Sequence, residues 1–478
     1  MGNTFKDRLE INYNNLKWTY HALYNKYGAT NKNFARLICI LKEKYDLRAD
    51  KLKEKDLYTT NHFIKKNRVG MTFNTVSCPN IEESIESLKD LGITYVHLNK
   101  EATIQDIQLF LEANLEVSVT YDVSKIERAS ENQEGLKNPQ LFEQTVTDLL
   151  ELANQDISVI SLDVTQLNQS DYQAEDVHEI LHMLHMIKDI VCPSVAFLGK
   201  GTHQMHEAVQ YFGREGRIEC ELMPHVNYMS SIWNSLATRD TRVMRQEVSR
   251  YTLPTQTAWL QFAALDQANQ FMLSEDAVWS TGSNPQDHQQ FLVDFYSGSF
   301  EGSFSNATYV NQTISGTVGD LVGIDANRKD TDALKRDALV HGLVITATGT
   351  PLLQIGDEMA LLKDSSKIIN IYDAKSVYES IKQLIEIRQT ESVFETDAIQ
   401  DILMLTNTNV YGVKKTVNQE SMWLLFNVSE RVQTINCKEL DLPGTYRIVL
   451  NNEESSVEDQ SITLNPYGML FIATQINE

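Results

Sequence analysis

At 478 residues, 42% hydrophobic and 22% charged, the chain has the composition of a globular protein with two or three domains and a large core. Its net charge of −23 argues against non-specific binding to nucleic acid or anionic lipid, and no apolar stretch reaches the ~18 residues of a membrane-crossing helix. The five cysteines are scattered without a CxxC pair, which argues against a disulfide framework or a zinc site. With no apolar leader after Met1, the expected location is the cytoplasm.

Residues 1–60 read as an N-terminal helical domain, with Leu16, Tyr20, Leu23 and Tyr24, then Phe34, Leu37, Ile38 and Leu41, at helical spacing. Residues 61–394 alternate short β-rich runs with amphipathic helices. Strands are expected at 68–73, 94–98, 115–121, 157–162 and 195–198, and helices at 81–92, 104–113, 139–153 and 177–188. So many strand–helix units favour a closed (β/α)8 TIM barrel of α/β class over an open sheet. Residues 395–478 change to short strands at 403–406, 410–415, 422–427, 446–450 and 468–472, split by polar turns, as in an antiparallel β-sandwich.

Several segments in this order resemble the amylosucrases, sucrose-acting members of the α-amylase superfamily (glycoside hydrolase family 13). They are Arg68-Val-Gly-Met-Thr-Phe, Leu91-Gly-Ile-Thr-Tyr-Val-His-Leu98, Ala208-Val-Gln-Tyr-Phe-Gly213, Ser231-Ile-Trp-Asn-Ser-Leu-Ala-Thr-Arg239, Leu253-Pro-Thr-Gln-Thr-Ala-Trp259, Thr348-Gly-Thr-Pro-Leu-Leu-Gln-Ile-Gly-Asp-Glu358 and Asn465-Pro-Tyr-Gly-Met-Leu. The resemblance implies a barrel with an extra helical N-terminus and a C-terminal sandwich. It also implies a retaining site of three acids at the C-terminal strand ends, two of them ~5–5.5 Å apart.

That site is expected to be degenerate. Where the family pattern at strand three is roughly DFVLNH, this chain has Thr120, Ser124 and Lys125 in place of Asp, Asn and His. At strand four Asp163 stands at the nucleophile position, but Ser161 replaces the arginine that would orient it; a hydroxyl supplies neither that fork nor that charge. At strand five Lys200 occupies the acid/base position, and an ammonium group cannot cycle a proton there near neutral pH. Glu207 and Glu215 lie on or beyond the next helix. At strand seven Asp266 falls on the histidine position and Gln267 on the aspartate, unless a one-residue slip restores Asp266 as a third carboxylate. Asp122, one step nearer the rim than Thr120, is a weak substitute. The stretches after strands two and three are too short for the family's substrate-pocket loop and B domain, so the B domain is expected to be lost. Gly356-Asp-Glu358 reads as a turn, and His182, His185, His203 and His206 read as structural rather than metal ligands.

The expected function is therefore a catalytically inactive homologue, a binding, regulatory or assembly partner in carbohydrate metabolism, with no catalytic residue intact, no cofactor and no metal. Its partner would be an active paralogue, another carbohydrate enzyme, or an α-glucoside or oligosaccharide ligand. One alternative is a divergent α-glucoside enzyme that uses Asp163 on sucrose or an activated glucoside. The other is a sugar-binding module, for which Trp233, Trp259 and Trp279 are candidates unless they are core. Lys200 is expected to neutralise Asp163 and hold the rim together.

Overall fold

The computed structural model describes residues 4–58, 63–64, 67–76, 80–122, 135–163, 174–201, 204–213, 217–265, 269–326, 330–364 and 369–475. Ser124, Lys125, Asp266, Gln267, His203 and Glu215 lie outside them.

Seven parallel strands, β1 (Gly70–Phe73), β2 (Tyr95–Leu98), β3 (Glu116–Tyr121), β4 (Val159–Asp163), β5 (Ala196–Lys200), β6 (Leu222–Pro224) and β7 (Ala258–Gln261), precede a short hairpin of β8 (Thr308–Val310) and β9 (Thr313–Ser315). Strand β10 (Thr350–Leu353) then closes the barrel between β7 and β1. The chain is thus a (β/α)8 barrel followed by antiparallel sheets. Helices form where the sequence supplies both ends. Ile81–Leu91 starts at the Asn80 cap and stops at Gly92, whose φ of 92° suits glycine. Ile104–Glu112 starts at a reciprocal Thr103–Asp106 capping box.

Alternate strand residues point into the barrel. Its floor is an apolar cluster that includes Tyr95, Val159, Ala196, Leu198, Leu222, Leu260 and Leu352. Gly70 is needed there: a Cβ at this position would lie 2.0 Å from the Tyr95 ring, which passes over β1 to donate to the Pro351 carbonyl of β10 at 3.1 Å. Above the floor the inward residues become polar, so the barrel has a dry base and a wet mouth. Only residues 122–134 separate β3 from the turn Gly135–Lys137, a length that leaves no room for an inserted domain.

Helices α1 (Phe5–Tyr24) and α2 (Thr30–Leu47) pack on the outer barrel helices Pro139–Ala153 and Ala174–Val191, and α3 (Asp50–Tyr58) is tied to the barrel through Asp56. Tyr20 and Tyr24 stack towards Phe142, and the Tyr24 hydroxyl donates to the Leu136 carbonyl at 2.7 Å. Arg48 and Asp56, both buried, pair at 2.7 Å, while Ser194 donates to Asp56 at 2.6 Å and Arg48 to the Ala153 carbonyl at 2.7 Å.

Strands β11 (Ile399–Ile402), β12 (Val410–Val417), β13 (Glu420–Asn427), β14 (Gln433–Asn436), β15 (Tyr446–Asn451), β16 (Ser456–Val457), β17 (Ser461–Leu464) and β18 (Met469–Thr474) form two antiparallel sheets, β11-β12-β13-β18-β15 and β14-β17-β16. Trp423, Leu425, Ile435, Ile462, Leu470 and Ile472 fill the space between them as a sandwich core. The strand expected at 403–406 is displaced to β11. This edge strand is held by its ladder to β12 rather than by burial, and Ile399 is exposed, so the apolar Leu403 and Leu405 mislead. No helix among the described residues is long and apolar enough to cross a membrane.

Candidate site at the barrel mouth

Strand register sets the positions of the charged groups. Asp163 ends β4 and lies opposite Lys200, which ends β5. Thr120 lies opposite Ser161, and Tyr121 opposite Leu162. All of these except Leu162, together with His97 and Asp122, line a cavity of about 450 Å³ at the C-terminal end of the barrel, where Asn74, Asn99, Lys100, Glu101 and Gln354 complete the rim. This is where (β/α)8 barrels carry their sites.

Its electrostatics are mixed. Asp163 is half-buried and Lys200 exposed. Lys200 forms no ion pair among the described residues, so the expected clamp between the two is replaced by lateral neighbourhood alone. The Lys200 charge acts instead on His97, whose pKa is pushed down to about 4, chiefly by burial and further by Lys200. His97 is therefore neutral at pH 7. Its Nδ1 lies 2.8 Å from the Ser118 hydroxyl and its Nε2 3.4 Å from that of Thr120. Ser161 is fully buried and its hydroxyl has no hydrogen-bond partner. Asn99 bridges the rim, accepting from the Thr75 backbone N–H at 3.0 Å and donating to Glu101 at 2.9 Å.

Thr120, Ser161, Asp163 and Lys200 thus come together. Glu207 is exposed on the short helix Met205–Ala208, away from the cavity lining. His97 was missed in the sequence, though its position two residues after Tyr95 in a β-run marks it as inward-facing. Asp122 follows β3 directly and lines the same cavity as Asp163. As ligands for a sugar, these groups offer acceptors and a neutral imidazole. As a double-displacement site, the described residues place a cation where a proton donor is needed.

Other candidates resolve into structure. Gly356, with a φ of 99°, opens a turn in which its N–H donates to Glu358 at 2.9 Å, and Asp357 is buried against His341. His185, Asp189 and Glu221 gather as metal ligands would, but the buried Lys188 ammonium sits among them, 2.5 Å from Glu221 and 2.8 Å from Asp189. That charge holds the Glu221 carboxyl near pKa 2 despite burial. Trp233 is fully buried, Trp259 nearly so, and Trp279 exposed.

No protein-family model matches the chain. Solved structures do. The chain is similar to an α-amylase from H. orenii, with a TM-score of 0.61 at 10% identity, over 86% of this chain and 100% of that one. It is similar to Amy13B of Eubacterium rectale, TM-score 0.60 at 10% identity, over 88% and 97%. A trehalulose synthase, MutB, aligns with TM-score 0.58 at 12% identity, over 85% and 99%. The fold is that of the α-amylases. At these identities the likeness extends to the architecture, and the mouth has to be read from its own residues.

Proposed function

We propose that this α-amylase-fold protein is a catalytically silent relative of the amylosucrases, one that acts by binding, as a regulatory or assembly partner in carbohydrate metabolism. The observation that carries the reading is Lys200 in register beside Asp163 on adjacent strand ends. A retaining mechanism needs a second carboxyl at about that spacing, able to give and recover a proton, and an ammonium group does neither. The unpartnered Ser161 hydroxyl below supports it, because nothing at that position orients Asp163 as a guanidinium would. The test is product release from sucrose and from α-glucosyl fluoride, which needs no acid. No turnover above the uncatalysed rate is expected with either; glucose released from sucrose and lost in Asp163→Asn overturns the reading.

A second reading has one observation behind it. The β3–β4 register, carried one residue past Tyr121, sets Asp122 opposite Asp163. Neighbouring strands lie about 4.8 Å apart, near the spacing of a retaining pair. Asp163 would then attack an activated glucoside, with Lys200 facing an anionic leaving group. Fluoride release lost in both Asp122→Asn and Asp163→Asn, without sucrose turnover, selects this reading.

A further inference from the structure

A larger cavity, about 840 Å³, lies away from the mouth. One wall is the outer face of β7, with Trp259 and Gln261. Another is the C-terminal end of the helix Thr331–Thr346. The third is the sheet face of β12 and β13, with Lys415 and Phe426. Its size is that of a site for a small organic molecule.

The wall is mostly apolar, yet it holds two buried cations that no described carboxylate pairs. Lys415 is 3% exposed and donates only to the Thr348 hydroxyl, at 3.1 Å, with its ammonium over the Phe394 ring. Arg388, also 3% exposed, donates to the neutral carbonyls of Ile345, Ala347 and Gly349, and its Nε has no partner. Burial pushes the Lys415 pKa well below the usual lysine range, and the Arg388 charge pushes it further. The acids in the lining, Glu395 and Asp397, are exposed at its edge. Two basic groups without a counter-charge in an apolar wall are costly to hold ionised, and an anion that meets them favours the charged form of Lys415.

Beside them stands a flat surface with unused polar edges. The His225 ring is stacked at 4.3 Å and 8° on Trp259, and lies 5.5 Å from Tyr228 on its other side. Gln261 lies beside the His225 imidazole as a hydrogen-bonding neighbour, at a geometry short of a full hydrogen bond, so the ring nitrogens and Gln261 Oε1 keep bonding capacity, while Gln261 Nε2 donates to the Thr348 carbonyl at 2.7 Å. In a folded interior such groups normally pair.

We propose that this cavity binds a small organic carboxylate with a flat apolar body, its anionic head between Lys415 and Arg388 and its body against the Trp259–His225 stack. The carboxylate accepts from the Lys415 ammonium, and the Arg388 guanidinium beside it adds its positive charge. The flat body packs against the Trp259–His225 stack. No bond is made or broken, and the proposal stands whether or not the barrel mouth is catalytic.

Calorimetry with 2-naphthoate and its uncharged amide, 2-naphthamide, on the full chain tests this. Naphthoate is expected to bind and to raise the melting temperature, with the amide at least about tenfold weaker, because only the acid meets the cations. Lys415→Met is expected to weaken naphthoate at least about tenfold while Asp163→Asn leaves it unchanged. Should Lys415→Met not fold, Gln261→Leu and quenching of tryptophan fluorescence in the wild type give the second readout. Loss of naphthoate binding when inorganic phosphate is added also supports the anion site and marks phosphate as a competing source of the same charge. Equal affinity for acid and amide, equal affinity in wild type and Lys415→Met, or no naphthoate binding overturns the proposal.

Discussion

The barrel mouth and the barrel–sheet cavity are built from similar groups, each with a neutral histidine, a lysine and side-chain amides, but the two regions treat them differently. At the mouth, charges of both signs stand near solvent, and His97, Ser118, Thr120 and Asn99 find partners among themselves or the backbone. In the barrel–sheet cavity the cations are buried without acids, and His225, Gln261 and Arg388 keep unpartnered atoms. A charge at an open rim is solvated and tolerates replacement, whereas the same charge in an apolar wall needs a counter-charge. The fold directs attention to strand ends, while the buried basic groups without acids lie on the other side of β7.

The sharpest way to break this contrast is truncation. Trp259→Ala removes a nearly buried wall and is expected to cost about 4 kcal/mol, read from urea midpoints; Thr120→Ala at the mouth should cost about 1 kcal/mol. Equal costs would mean that the mouth is as tightly built as the cavity.

Acid titration comes next. Burial pushes the His225 pKa down to about 3 and, with Lys200, that of His97 to about 4, both below the 6.5 of an unperturbed histidine. The unfolded chain therefore takes up these protons first. Stability is full above pH 6.5 and falls as the pH drops towards the folded values, by up to ~1.4 kcal/mol per unit per group. Replacing His225 by Phe should flatten the fall in urea midpoint between pH 7 and pH 4.5 by roughly 3 kcal/mol. His97→Gln should flatten it by slightly less, because its folded pKa lies about one unit nearer the unfolded value. The reverse ranking would place the drier environment at the mouth.

The smallest effect is expected at Lys200. Lys200→Glu sets another carboxylate beside Asp163 at an exposed strand end, so thermal unfolding should shift by less than about 1 kcal/mol. No sucrose turnover should appear, since Ser161 still offers Asp163 no guanidinium. A large loss of stability would restore the rim-clamp role.

Much of the barrel was legible because its signals are local: two-residue alternation in β2 to β5, helical spacing, and caps such as Asn80 and Gly92. Strand β6 was not, since Leu222-Met-Pro224 is too short to show a period, and β11 was misplaced because an edge strand is defined by pairing rather than burial. At the site, Asp163, Lys200, Ser161 and Thr120 were readable as strand-end positions. The lateral place of Asp122 beside Asp163 was not readable, because it depends on register with β4, a relation between residues some forty apart. The barrel–sheet cavity was illegible altogether: His225, Trp259, Arg388 and Lys415 come from four separate segments, and none carries a motif.

The knot of Arg48, Asp56 and Ser194 has a consequence for the newborn chain. Helices α1–α3 leave the ribosome before the barrel, yet their anchors, Leu136, Ala153 and Ser194, are encoded up to 138 residues after Asp56. At ~5–20 residues per second, Arg48 and Asp56 wait roughly seven to thirty seconds for Ser194 to be made. Until the helix Pro139–Ala153 is made, Tyr20 and Tyr24 lack Phe142, and until Ser194 is made the Arg48–Asp56 knot stays open. This early segment is completed only when about two fifths of the sequence has been translated, and before that it presents an apolar face to solvent.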